Sequence, residues 1–246
     1  DEATAKVALA EAAKKATADA VQAISDQAET EQAPAVKVDA AFLNLDAVVD
    51  LAVTAENLGD VGGVDLLDTV LNNADQAADL NEMVSKAEQG GSAASVGLML
   101  KNASQAAALK KVVEKSEELA LAPGGTTADL ATLFENADQA ADLNEMVTKA
   151  EATGSSSAVG HMLKNANQAA ALKEMVAKSE KVAVDAGGTD ATADIASIFE
   201  HADKAVDLAK VVTAAGAGAD LTTLFENVEG AADLATVVTA AGAGAD

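Results

Sequence analysis

The chain has 246 residues, with 40 Asp plus Glu against 16 Lys, no Arg and two His, for a formal charge of −24. It holds 62 Ala and four Phe but no Trp, Tyr or Cys. Phosphate backbones and anionic membrane surfaces are bound by clusters of basic residues, so nucleic acid is excluded as an expected partner. Without Cys there is no disulfide, thiolate nucleophile or zinc–thiolate site. No apolar run approaches the roughly 18 residues that a spanning helix needs, so membrane insertion is not expected.

In chain order, residues 1–30 read as an Ala-rich N-terminal helix with Val7, Leu9, Val21 and Ile24 on a weak apolar stripe. Residues 31–38, with Pro34, read as a linker, and 39–246 as one helical repeat array that the first helix is expected to cap. The start at Asp1, in DEATAK, reads as a mature terminus after removal of a signal peptide, or equally as the edge of a fragment.

Self-similarity organises the rest. NADQAADLNEMVSKAE at 73–88 returns as NADQAADLNEMVTKAE at 136–151, and KNASQAAALKKVVEKSE at 101–117 returns as KNANQAAALKEMVAKSE at 164–180, each 63 residues on. The halves of each pair also match one another at a 29-residue offset. One apolar anchor recurs at Phe42, Leu71, Leu100, Phe134, Leu163, Phe199 and Phe225, which takes in every Phe of the chain. Met83, Met146 and Met175 share a second position, and Met99 and Met162 a third. Anchor spacings of 29, 29, 34, 29, 36 and 26 vary only through connectors such as Gly90-Gly91-Ser92 and Gly154-Ser155-Ser156-Ser157. The serines are expected to form a flexible loop.

Each unit of 26–36 residues reads as two helices. Leu221, Leu224 and Phe225 have the spacing of a short first helix, with Asp220 at its N-cap. Ala231, Leu234, Val237, Val238 and Ala241 make the stripe of the second. Asn73, Asn102, Asn136, Asn165 and Asn227 stand at the corner, where Asn tolerates the left-handed conformation of a helix C-terminus. Asp75, Ser104, Asp138, Asn167, Asp203 and Glu229, two residues on, are expected to cap the second helix. Such a unit cannot bury its stripe alone, so the expected fold is all-α, an α-solenoid of about seven helix-turn-helix repeats. Ala pairs such as Ala77-Ala78, Ala106-Ala107, Ala140-Ala141 and Ala169-Ala170 would let the axes approach closely.

Charge alternates between units: Asn72, Asn81 and Glu82 become Lys101, Lys110 and Lys111 one unit on, which sets register more than stability. TAAGAGAD at 213–220 recurs at 239–246, so the last unit is as regular as its predecessor. An open end of that kind is expected to meet a further unit or another copy.

Candidate chemistry is sparse. Asp75, Asp79 and Glu82, and likewise Asp138, Asp142 and Glu145, lie along one helical face where a hard cation such as Ca²⁺ would find oxygen ligands. The same acids complement the helix dipole without any metal, and no EF-hand loop is present. No other cofactor is expected. His201 replaces the corner Asn and reads as a cap variant, while His161 has no nucleophile or metal set beside it. Corner Asn residues with Gln76, Gln105, Gln139 and Gln168 could line one surface as a polar ladder for a surface protein or glycan. Capping is the simpler reading.

The segment LFENVEGAADLATVV at 224–238 resembles TAL-effector-type repeats in its short helix, Asn corner and longer helix. That resemblance implies DNA binding, which the missing Arg and the −24 charge oppose, and no residue roles follow from it. The functional expectation is a non-enzymatic, secreted structural repeat protein with copies of itself as partners, forming a bacterial surface filament, surface layer or adhesin stalk. The alternative is a solenoid binding module for a protein or carbohydrate.

Overall fold

The computed structural model describes residues 44–58, 66–121, 130–185, 192–215, 225 and 228–242. The expected N-terminal helix and linker, Phe42 and Asn227 lie outside these residues. Among the described residues the structure is all-helical, with no strand.

Its helices are α1 (Leu45–Leu58), α2 (Leu66–Asn72), α3 (Ala77–Gln89), α4 (Val96–Lys101), α5 (Ala106–Leu121) and α6 (Leu130–Glu135). They continue with α7 (Ala140–Ala152), α8 (Val159–Lys164), α9 (Ala169–Asp185), α10 (Thr192–Glu200), α11 (Ala205–Ala215) and α12 (Ala231–Gly242). Short and long helices alternate from α1 to α11. The helices sort into two compact units, 1–110 and 111–246, with the boundary inside α5. In the first, α1 packs on α3 and α2 on α4. In the second, the long helices α7, α9, α11 and α12 each pack on the next, and so do the short helices α6, α8 and α10.

The sequence anchors are the core. Leu71, Leu100, Phe134, Leu163, Phe199 and Phe225 are all buried, and so are Met83, Met99, Met146, Met162 and Met175. On the long helices Leu80, Leu109, Leu143, Leu172 and Leu208 are buried as well. Each such side chain contributes roughly 1.5–3 kcal/mol. Of each Ala pair only the first (Ala77, Ala106, Ala140, Ala169) is buried.

The corner differs from the expectation. Asn73, Asn102, Asn136 and Asn165 have φ between −108° and −120° and ψ between 33° and 39°, so none is left-handed. Each starts a three-residue 3-10 turn (Ala74–Gln76, Ala103–Gln105, Ala137–Gln139, Ala166–Gln168) whose last amide donates to the Asn carbonyl at 2.8–2.9 Å. The Asn side chain supplies the capping instead. Its Nδ2 donates to the carbonyl four residues back, at 2.8 Å for Asn73 to Thr69 and Asn136 to Thr132, and 2.9 Å for Asn102 to Leu98 and Asn165 to His161. At Thr69 and Thr132 this bond takes the place of the Asn backbone amide, which turns to Val70 O and Leu133 O, while Leu98 O and His161 O accept both the amide and the side chain of their Asn. His201 does the same with Nδ1 on Ser197 O at 3.0 Å, which places a proton on Nδ1 because a carbonyl only accepts.

Left-handed backbone is used elsewhere. Gly91 and Gly154 have φ of +80°, and Ser92 N and Ser155 N reach back to Ala87 O and Ala150 O at 2.7 Å. These are Schellman endings of α3 and α7. The serine connector is therefore fixed rather than flexible: Ser155 is buried and leads into a 3-10 turn, Ser156–Ala158, that opens α8.

Candidate functional site

The polar side chains singled out in the sequence converge on the seams between successive helix pairs. Three kinds of bond recur there, at repeat-equivalent positions.

In the first, a Gln reaches forward into the next corner. Gln76 Nε2 donates to Ser104 O at 3.0 Å, and its Oε1 accepts from Ala107 N at 3.1 Å. Gln139 repeats this on Asn167 O at 3.2 Å and Ala170 N at 3.1 Å. Gln168 does so on Asp203 O at 2.6 Å and Val206 N at 3.1 Å. The amides of Ala107, Ala170 and Val206 lie in the first turn of a long helix, where no partner exists within the helix itself. An N-terminal cap of α5, α9 and α11 is thus supplied by the preceding pair. Asp75 and Asp138, expected as caps, sit exposed inside the 3-10 turn. Of the Gln residues read as a polar ladder, Gln76, Gln139 and Gln168 bond to the backbone of the next corner.

In the second, a Lys reaches back. Lys110 Nζ lies 2.9 Å from both Asp79 Oδ1 and Glu82 Oε2. Lys173 Nζ lies 2.8 Å from both Asp142 Oδ1 and Glu145 Oε2. Hydrogen bonds, led by Glu82 for Lys110 and Asp142 for Lys173, hold both ammonium groups well above the ordinary lysine value. Four of the six carboxylates considered for Ca²⁺ therefore already face an ammonium. Among the described residues no group of three or more His, Cys, Asp or Glu is placed to hold a metal. Asn81 Nδ2, equivalent to Lys110, makes the weaker uncharged version on Asp50 Oδ2 at 3.4 Å.

The third ties the far ends of the long helices: Lys115 to Glu151 and Lys149 to Glu180, both at 2.6 Å. The within-helix pairs Glu82–Lys86 and Glu174–Lys178 form at 3.8 and 2.7 Å.

One seam carries an extra pair. His161 Nε2 is 3.0 Å from Asp203 Oδ1, and Lys204 Nζ is 3.1 Å from Asp203 Oδ2. Burial pushes the Asp203 carboxyl up, but hydrogen bonds from His161 and Lys204 outweigh it and leave the group below its ordinary value.

Two features had no signal in the sequence. The Gln partners lie 28–38 residues away, beyond any local pattern. Ser116 and Ser179 are both fully buried at the position that is Ala87 and Ala150 in the alternate units, and the Oγ of Ser179 has no partner.

Comparison of the chain with family models, curated proteins and solved structures returns no match. Among the described residues, no helix is long and apolar enough to cross a membrane.

Proposed function

We propose that this chain is a non-enzymatic structural repeat protein: seven helix pairs stacked as one α-solenoid, secreted to a bacterial cell surface. There it serves as a subunit of a filament, surface layer or adhesin stalk, with copies of itself as partners. The observation that carries this reading is the recurrence of the seam bonds. Gln76 with Lys110, and Gln139 with Lys173, repeat the same contacts 63 residues apart, with distances that agree to within a few tenths of an ångström. The polar side chains best suited to chemistry or ligand reading are engaged in joining one pair to the next. That is what a load-transmitting array needs, and it leaves the binding-module alternative without free amides on the Gln ladder. No cofactor belongs to this reading, since Ca²⁺ would have to displace Lys110 or Lys173.

Electron microscopy of the purified chain, with and without millimolar Ca²⁺, tests it. Elongated, curved particles or ordered assemblies, unchanged by Ca²⁺, are the expected result. A compact particle in both conditions would remove the solenoid and the structural role built on it.

A further inference from the structure

Two neighbouring seams of the second unit bury the same kind of residue but are not bonded alike. Leu143, Leu172 and Leu208, at one position of α7, α9 and α11, are all buried. Between α7 and α9 the cross-links are the two bonds of Gln139, the Lys173 fork on Asp142 and Glu145, and the Lys149–Glu180 tie. Between α9 and α11 Gln168 again makes two bonds, and beside it His161 of α8 adds a single contact to Asp203. The fork is missing there because its Lys position is Ala209 and its first acid position is Ala171. The tie is missing as well: Lys178 turns to Glu174 of its own helix at 2.7 Å, and the Glu180 position falls on Gly216.

The fork does not belong to every repeat. Its residues stand at Asp79, Glu82 and Lys110, and again 63 residues on at Asp142, Glu145 and Lys173. At the step between, α7 carries Asn144 in the Lys position and α5 carries Ala108 in the first acid position. An ammonium held by two carboxylates of the preceding helix fixes three side chains across one seam through charge-assisted bonds. Such a seam keeps its register better than one with the Gln staple alone. The covalent link inside the forked pair is fixed too, by the left-handed Gly154 and the buried Ser155 that join α7 to α8.

We infer that the seam between α9 and α11 is a built-in yield point: α6 to α9 open as one block of two helix pairs, and α11 parts from that block first. Proteins open in contiguous cooperative units, and bonding of this pattern makes the unit a double repeat rather than a single helix pair. This deepens the structural role proposed above and rests on it. In an array that carries load, extension begins at the seam that lacks the fork and leaves the forked block whole.

Native-state hydrogen exchange of the full chain in low urea tests it. The amides of α7 and α9 should share one opening with one urea dependence, and those of α11 should exchange about threefold or more faster. Two sets of substitutions move that gap from opposite sides. Lys173→Met keeps an unbranched side chain, removes the charge, and should speed α9 toward α11. Ala171→Asp with Ala209→Lys installs a fork that uses the Glu174 already present, and should slow α11 by about threefold or more. Both Ala residues are half-buried, so helical circular dichroism verifies that the paired variant folds. Equal exchange of α9 and α11 in the unmodified chain overturns the yield point, and so does unchanged α9 exchange in Lys173→Met. A folded paired variant with unaltered α11 exchange overturns it as well. Separate openings of α7 and α9 remove the block. Compact particles in the microscope would instead remove the array, a failure that leaves the order of exchange to be read on its own.

Discussion

Between residues 130 and 242, two seams with equally buried anchor residues are held differently. Where α7 meets α9, Gln139, Lys173 and the Lys149–Glu180 pair all cross the seam. Where α11 meets α12, the position of Gln139 is Lys204, which turns to Asp203, and the position of Lys173 is Ala235. Phe225, Val228 and Ala231 are nonetheless as buried as their counterparts Leu163, Ala166 and Ala169. Burial decides that helix pairs stack. Polar bonds decide how firmly a given pair keeps its register and its first turn.

The largest expected effect contrasts one position in the two settings. Leu172→Ala, in the buried middle of the array, should cost about 2–5 kcal/mol in urea unfolding. Leu234→Ala, at the equivalent exposed site of α12, should cost about 1 kcal/mol or less. Equal losses would mean that α12 is covered in solution.

Removing a staple should make the strong seam resemble the weak one. Gln139→Ala strips the cap from the Ala170 amide and should cost about 1–2 kcal/mol. Lys204→Gln runs the experiment in reverse. It restores the staple ahead of the last pair and should slow amide exchange in α12, by up to about 1 kcal/mol of added protection. No change in α12 exchange would show that the staple contributes nothing without the Lys lane.

Gly154→Ala sharpens the role of the connector. At φ +80° a β-carbon costs roughly 1–2 kcal/mol, although nothing crowds it, so thermal unfolding should begin at a lower temperature. A flexible loop would absorb the change.

The smallest effects are electrostatic. The raised Lys110 and Lys173 contribute stability that is complete below about pH 10.5 and is lost as pH rises through their higher folded values. The lowered Asp203 contributes stability present above pH 3.8 and lost as pH falls through its folded value. His161→Leu removes one of its two partners. It should raise the acid unfolding midpoint slightly, with an effect of about 1 kcal/mol or less because the pair is partly exposed. An unchanged midpoint would assign the shift to Lys204 alone.

The anchors, the Met positions and the alternation of short and long helices were legible because burial follows a local period. Charge alternation pointed to contacts between equivalent positions of successive units, but Lys110 reaches past its equivalent Asn81 to Asp79 and Glu82. The corner was misjudged because Asn serves two geometries: a left-handed residue, or a side-chain donor to the carbonyl four back. His201 held the clue, since imidazole at that position points to donation by Nδ1. The roles of Asp75 and Gln76 were exchanged for a different reason. A cap supplied by a neighbouring pair has no local spacing to read. Likewise nothing in GSSS distinguishes a mobile loop from a Schellman ending whose next residue, Ser155, is buried.

The direction of the Gln staple gives the array an order in time. The long helices α5, α9 and α11 each receive a missing acceptor from the pair before them in sequence. A chain synthesised from its N-terminus at about 5–20 residues per second presents each of these three helices with a predecessor already carrying the amide that helix needs. Assembly of these stapled pairs therefore has a built-in arrow, and α12, whose preceding pair carries Lys204 in place of the Gln, forms without that help.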